Sequence, residues 1–318
     1  MSTDGEETAR PPGRAELTAA LADLGRAPSR ALGQNFLADP NVAERIARLA
    51  AVGAGDRVIE IGAGLGSLTV ALASTGAAVT ALEIDHHLVP ALRRRVEPLG
   101  VAVERADATA VDWEDLLGVE PGPPWVLVAN LPYNIATPLV VGLLRSAGRI
   151  GRMLVMVQKE VGERLVAAPR CRAYGAVSVR VAYFARARLL GEVPASVFVP
   201  RPNVASVLVE IVRRDRPAVD PAIASFEEID RLVRAGFATR RKMLRRSLAG
   251  LASEADLEAA GISPTARAEE LGVDEWGKGA ARLRVGGRAG GGPPPLGGEV
   301  PAPPGGEVPA PPGGEVPA

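Results

Sequence analysis

Residues 29–215 are expected to form an α/β domain on a mostly parallel sheet, and residues 216–285 a small helical domain behind it. From Asp56 onward, short β-branched runs alternate with helical stretches, the order that right-handed βαβ units require. After about Asp215 the apolar spacing becomes helical throughout. A length of 318 residues suits one large domain and a smaller one, each able to bury a core.

Taken in order, residues 1–28 read as a flexible lead with one helical segment, AELTAALADLGR. Asp39-Pro40-Asn41 is a turn and helix start, and in VAERIARLAAV the apolar Val42, Ile46 and Leu49 recur at helical spacing. RVIEIGAG, AVTALEID, VAVERADAT and WVLVAN are the early strands, with helices SLTVALAST and HLVPALRRRVEP between them, and MLVMVQ is a further strand. VSVRVAYFARARLL and ASVLVEIVRR, with few helical residues between them, should pair as an antiparallel edge. The helical region runs through FEEIDRLVRAGFATRRKMLRRSLAGL and EADLEAAGI to TARAEELGVDEWGKGAARL. Residues 286–318 are rich in Gly and Pro and close on GGEVPAPP repeats, so they cannot bury enough apolar surface to offset ordering and are expected to be disordered.

Composition removes several function classes. Hydrophobic residues make up 47% of the chain, yet no run approaches the roughly 18–20 uncharged apolar residues of a membrane span, and the N-terminus is polar; a cytoplasmic protein is expected. Cys171 is the single cysteine and His86 and His87 the two histidines, so neither a disulfide nor a metal centre is expected. The zero formal net charge argues against a general basic coat for nucleic acid. Basic residues nevertheless cluster: Arg234, Arg240, Arg241, Lys242, Arg245 and Arg246 fall in a stretch without an acid. Several of them recur at intervals that share one helical face, with Phe237, Met243 and Leu244 turned inward; that face would either grip phosphates or be solvated surface.

Two loops carry the chemistry. Ile61-Gly62-Ala63-Gly64-Leu65-Gly66 joins a strand to a helix, and its G-x-G-x-G spacing brings the third glycine one residue too early for a dinucleotide fingerprint. Gly62 and Gly64 let a ligand lie against backbone. Glu83 ends the second strand, where a carboxylate can accept from both hydroxyls of a ribose, and Asp107 follows the third, where it could accept from an adenine amine. Taken singly these are also a tight turn, a solvated acid and a helix cap; falling together on successive strand ends, they favour a nucleoside cofactor over a nicotinamide one. The other loop, Asn130-Leu131-Pro132-Tyr133, follows the strand WVLVAN. Asn130 and the Leu131 carbonyl are acceptors, Pro132 has no N–H and Tyr133 has a stacking face, which together suit a planar amino group, although the same letters also make an ordinary turn.

GQNFL, GAGLG, LEID, RADAT and NLPYNIATPL together resemble the ribosomal RNA adenine N6-dimethyltransferases, and the KsgA/RsmA type more than the Erm type. The resemblance runs on through VQKEVGERLVAAP, RAYGAVSV, VFVPRPNVASVLV and FATRRKMLRRSL to ISPTARAEEL, over about residues 28–275. It implies a class I methyltransferase with a Rossmann-like seven-stranded sheet, S-adenosylmethionine as methyl donor, and dimethylation of two adjacent adenosines near the 3′ end of 16S rRNA in an immature small ribosomal subunit. It also implies a monomer. By motif position the resemblance assigns cofactor contacts to Asn35, Leu37, Gly62, Glu83, Asp107 and Asn130. Tyr133 and Phe198 would cover the two faces of a flipped base; alternatively Phe198 is a core aromatic before a Pro-Arg-Pro turn. RNA contacts are expected on Arg240, Arg241, Lys242, Arg245 and Arg246. The alternatives are an Erm-type enzyme acting on 23S rRNA, which RAYGAVSV and ISPTARAEEL disfavour, and a non-catalytic RNA-binding assembly factor, which the intact Asn130-to-Tyr133 loop and Glu83 disfavour.

Overall fold

The structure, a computed structural model, describes residues 10–29, 32–118 and 122–286; residues 1–9 of the lead and the terminal repeats lie outside them. The described strands are β1 (Phe36–Leu37), β2 (Arg57–Ile61), β3 (Ala78–Glu83), β4 (Ala102–Arg105), β5 (Trp125–Asn130), β6 (Ile150–Gln158), β7 (Ala185–Val193), β8 (Phe198–Val199) and β9 (Ser206–Arg213). Seven of them form one sheet in the order β4-β3-β2-β5-β6-β9-β7, while β1 and β8 pair by themselves. The first five in that order are mutually parallel, and β9 runs antiparallel to both β6 and β7. The chain therefore winds outward from β2 to β4, returns to β5 beside β2 and winds the other way, which opens a crevice above the carboxyl ends of β2 and β5.

Both faces of this sheet are covered. Along β2, Val58 enters the core that holds Ala43, Ile46 and Leu72, while Ile59 enters the opposite core with Leu127, Leu139 and Val155. Burial on both sides is why these strands read as nearly continuous apolar runs. Helix Pro40–Ala50 starts as its sequence indicates, with Asp39 Oδ1 accepting from the N–H groups of Asn41 at 3.0 Å and Val42 at 3.4 Å.

One expectation is corrected. VSVRVAYF is not strand but helix Ala176–Phe184, and only ARARLLGEV after it extends as β7. Val179 and Tyr183 pack into the C-terminal helical core and Val181 into the sheet core, and burial on two sides outweighs the modest strand preference of valine. Strand β9 pairs antiparallel with β7 at the edge of the sheet, as expected, with Val207, Val209 and Ile211 on one face and Leu208 on the other. The helical segment expected in the lead is helix Arg14–Asp23, and it docks on the domain, burying Leu17 and Leu21 against Phe36, Leu65 and Leu88.

The helical core gathers Tyr174, Phe226, Leu244, Leu257 and Trp276. No helix among the described residues is long and apolar enough to cross a membrane.

Candidate active site

The glycine loop leaves β2 with Gly62, Gly64 and Gly66 at φ of +74°, +58° and +86°, a region that disfavours any side chain. A Cβ on Gly64 would also lie 3.0 Å from the Phe36 ring. The N–H groups of Gly62 and Ala63 donate to the Leu82 carbonyl at 2.9 and 3.1 Å, and that of Gly64 donates to Glu83 Oε2 at 2.7 Å. These donors are thus engaged by protein oxygens, one of them a carboxylate. A pyrophosphate laid against these three N–H groups would find them taken and would face the Glu83 carboxylate, which disfavours a dinucleotide at this turn.

Glu83 is 5% exposed at the end of β3. Its second oxygen accepts from the Asp85 N–H at 2.8 Å. Burial pushes its carboxyl up from the usual range, and the two backbone donors pull it back toward ionisation. Asp85 in turn accepts from Gln34 Nε2 at 2.9 Å, which ties LEID to GQNFL. Beside this pair lies Glu60, 2% exposed, with Oε2 buried and without a partner. Burial pushes its carboxyl up to about 8.

An open cleft lies above these residues, walled by the glycine loop, the end of β3 and the Asn130-to-Tyr133 loop. Of the residues expected to bind cofactor or substrate, Asn35, Leu37, Gly62, Gly64, Glu83, Asn130, Leu131, Pro132 and Tyr133 all line it. Asn130 Nδ2 donates to the Asn35 carbonyl at 2.9 Å, which orients the amide and leaves Oδ1 as its acceptor. The Leu131 N–H donates to the Met156 carbonyl on β6 at 3.1 Å, anchoring the loop to the sheet, while the Leu131 carbonyl accepts no hydrogen bond among the described residues. Tyr133 is half-buried, its hydroxyl 2.7 Å from Ser206 Oγ, and burial raises its pKa further above neutrality.

Other expected residues lie elsewhere. Phe198 is fully buried in β8, paired with Leu37 and packed in the sheet core, so it supports the cleft wall and offers no face to a base. Asp107 is exposed and outside the cleft lining; its Oδ1 accepts from the Thr109 N–H at 2.8 Å and Oγ1 at 2.7 Å, which lowers its pKa. The basic stretch is not one helix. Helix Phe226–Ala238 ends before it, and the N–H groups of Leu244 and Arg245 donate to the Ala266 and Pro264 carbonyls at 2.7 and 3.0 Å, so the preceding helix cannot claim them. A short helix, Leu244–Ser247, then begins. Arg240 pairs with Glu269 at 2.7 Å and Arg245 with Glu254 at 3.7 Å, whereas Arg241, Lys242 and Arg246 are exposed and form no ion pair among the described residues. The sequence reading passed over Glu60 and Gln34, both in the cleft lining. A carboxylate inside the apolar run VIEIG was the available signal.

The model of the family described as "Ribosomal RNA adenine dimethylase" matches residues 27–283. A "Ribosomal RNA small subunit methyltransferase A" of Cutibacterium acnes is 46% identical over 261 residues, covering 79% of this chain and 87% of the relative. Its namesake in Streptomyces coelicolor is 44% identical over 274 residues, with 84% and 94% covered. Among solved structures, a dimethyladenosine transferase from Plasmodium falciparum superposes with a TM-score of 0.67 at 24% identity, over 79% of this chain and 98% of that one. The 23S rRNA methyltransferase ErmE does so with a TM-score of 0.60 at 26% identity, over 79% and 100%. The sheet is therefore that of a class I methyltransferase, and the chain belongs to the ribosomal RNA adenine dimethylase family.

Proposed function

We propose that this protein transfers methyl groups from S-adenosylmethionine to N6 of two adjacent adenosines near the 3′ end of 16S rRNA. It would do so as a monomer in the cytoplasm, on an immature small ribosomal subunit. One observation carries the chemistry: a single cleft joins the buried Glu83 carboxylate to the acceptors of the Asn130-to-Tyr133 loop. Relatives at 40–46% identity that bear a small-subunit name favour that RNA over the 23S substrate of the more distant ErmE.

The residues present fit the methyl donor. Glycines at positive φ leave room beside the backbone, and Glu83 has lone pairs left for ribose hydroxyls. Asn35, Leu37 and Asn130 complete that wall, and Asp107, from outside the cleft lining, would accept from the adenine amine. When bound, S-adenosylmethionine supplies an electrophilic methyl group on a sulfonium centre.

The protein's work is positioning and charge stabilisation. The N6 lone pair of adenine is delocalised into the ring, so the amine is a weak nucleophile. Asn130 Oδ1 and the Leu131 carbonyl would accept its N–H groups, turn the lone pair out of conjugation and stabilise positive charge as it grows on nitrogen. Pro132 adds no competing N–H between them. Tyr133 would stack on the flipped base. Outside the cleft, Arg241, Lys242 and Arg246 would hold RNA phosphates, making residues 216–285 the RNA-binding domain.

Transfer of labelled methyl groups to small-subunit RNA, compared with the same RNA carrying guanosines in place of the two adenosines, tests this reading. Label should enter the first RNA and not the second. Equal incorporation into both would contradict it.

A further inference from the structure

We propose that Ser206 is a positioning residue for methyl transfer, its hydroxyl holding the Tyr133 ring where the base stacks. The inference rests on the reading of Tyr133 as the stacking face. Ser206 opens β9 and is fully buried, and the residues after it, Val207, Leu208 and Val209, are buried and apolar. A buried hydroxyl in such a place is costly unless it is paired. Its side-chain partner is the Tyr133 hydroxyl at 2.7 Å, the usual length for two hydroxyls.

The backbone beneath Ser206 is held from both sides, because it stands opposite Gln158 on β6 and Val193 on β7. The same end of β6 supplies the Met156 carbonyl that takes the Leu131 N–H at 3.1 Å. The Asn130-to-Tyr133 loop is thus gripped at two points by neighbouring strands β6 and β9: through its backbone at Leu131 and through the tip of a side chain at Tyr133. Between them Pro132 restricts the backbone. Tyr133 is only half-buried, and a ring free at its tip can move between staggered χ1 wells. Tethering the hydroxyl to a rigid strand removes that freedom while the ring remains among the residues lining the cleft.

The test uses the full chain in single-turnover methylation of small-subunit RNA at saturating S-adenosylmethionine. The variants are Tyr133→Phe, Ser206→Ala, the double variant and Tyr133→Ala, with dissociation constants for cofactor and RNA measured beside the rates. Tyr133→Phe and Ser206→Ala should each slow the step about fivefold, the worth of one neutral hydrogen bond. The double variant should be no slower than either, and cofactor affinity should be unchanged. Losses that multiply in the double variant would overturn the proposal, since the two hydroxyls would then act separately. If β9 does not tolerate Ser206→Ala, Tyr133→Phe deletes the same bond with the strand intact, and a parental rate for it would also overturn the proposal. A slow Tyr133→Ala beside a parental Tyr133→Phe removes the role of Ser206 alone, whereas a parental Tyr133→Ala removes the stacking reading with it.

Discussion

Replacing Glu83 should damage cofactor binding, and glutamine should rescue little of it. The carboxylate is 5% exposed, and each oxygen already accepts a backbone N–H, from Gly64 at 2.7 Å and from Asp85 at 2.8 Å. Glutamine keeps the shape but has one oxygen, so its NH₂ must face one of those two N–H groups, donor against donor. Alanine leaves both N–H groups without an acceptor and removes the charge offered to the ribose. A charge-assisted bond in a partly desolvated site contributes about 1.5–3 kcal/mol, so the net loss of cofactor binding should be about 2–3 kcal/mol, roughly 30- to 150-fold in Kd. Isothermal titration of S-adenosylmethionine into parent, Glu83→Ala and Glu83→Gln measures this, with circular dichroism to verify folding. A folded Glu83→Gln that binds like the parent would refute the reasoning, because it would mean that neither the second acceptor nor the charge matters.

Further outcomes follow from other parts of the structure. Glu60 titrates near 8 when folded against a usual 4.5, so the folded chain keeps a proton that the unfolded chain loses between those pH values. Its stabilising contribution is present below about pH 4.5 and is lost as pH rises toward about 8. In the ligand-free protein, the Tm advantage of Glu60→Gln over the parent should therefore grow from acid to mildly basic pH, and a flat difference would place Glu60 in a wetter environment. Replacing Arg241, Lys242 and Arg246 with Gln should flatten the salt dependence of RNA affinity by roughly 0.7–0.9 in log–log slope per lost contact while cofactor affinity holds; parallel salt series would put the RNA elsewhere. A Cβ at Gly236 would sit 2.5 Å from Cη2 of Trp276, itself 1% exposed. Gly236→Ala should accordingly destabilise by about 1–3 kcal/mol in urea unfolding despite the better helix propensity of alanine, and a stabilised variant would show that the Trp276 ring can move.

The parallel half of the fold was legible because its strands are buried on both faces and separated by punctuated helices, so RVIEIG, AVTALE and WVLVAN each announce a central strand. VSVRVAYF misled because local valine content says strand, whereas its partners, Val219 and Phe226 among them, lie far along the chain. The same distance effect hid the break in the basic run, which looks helical until the carbonyls of Ala266 and Pro264 take the N–H groups of Leu244 and Arg245. In the cleft, Glu83 and Asn130 could be placed from strand ends alone. The burial of Phe198 could not, since it depends on the pairing of β1 with β8, two segments far apart in the chain. Nor could the bond from Tyr133 to Ser206, which joins two separate motifs.

The central claim is that one cleft presents a methyl donor to an adenine amine held by Asn130. The most direct test is mass spectrometry of RNA after incubating unmethylated small and large ribosomal subunit RNA with this protein and S-adenosylmethionine. Two adjacent N6,N6-dimethyladenosines should appear near the 3′ end of the small-subunit RNA, none in the large, and Asn130→Ala should abolish them while cofactor still binds. Dimethyladenosine confined to the large-subunit RNA, or undiminished with Asn130→Ala, would contradict the account.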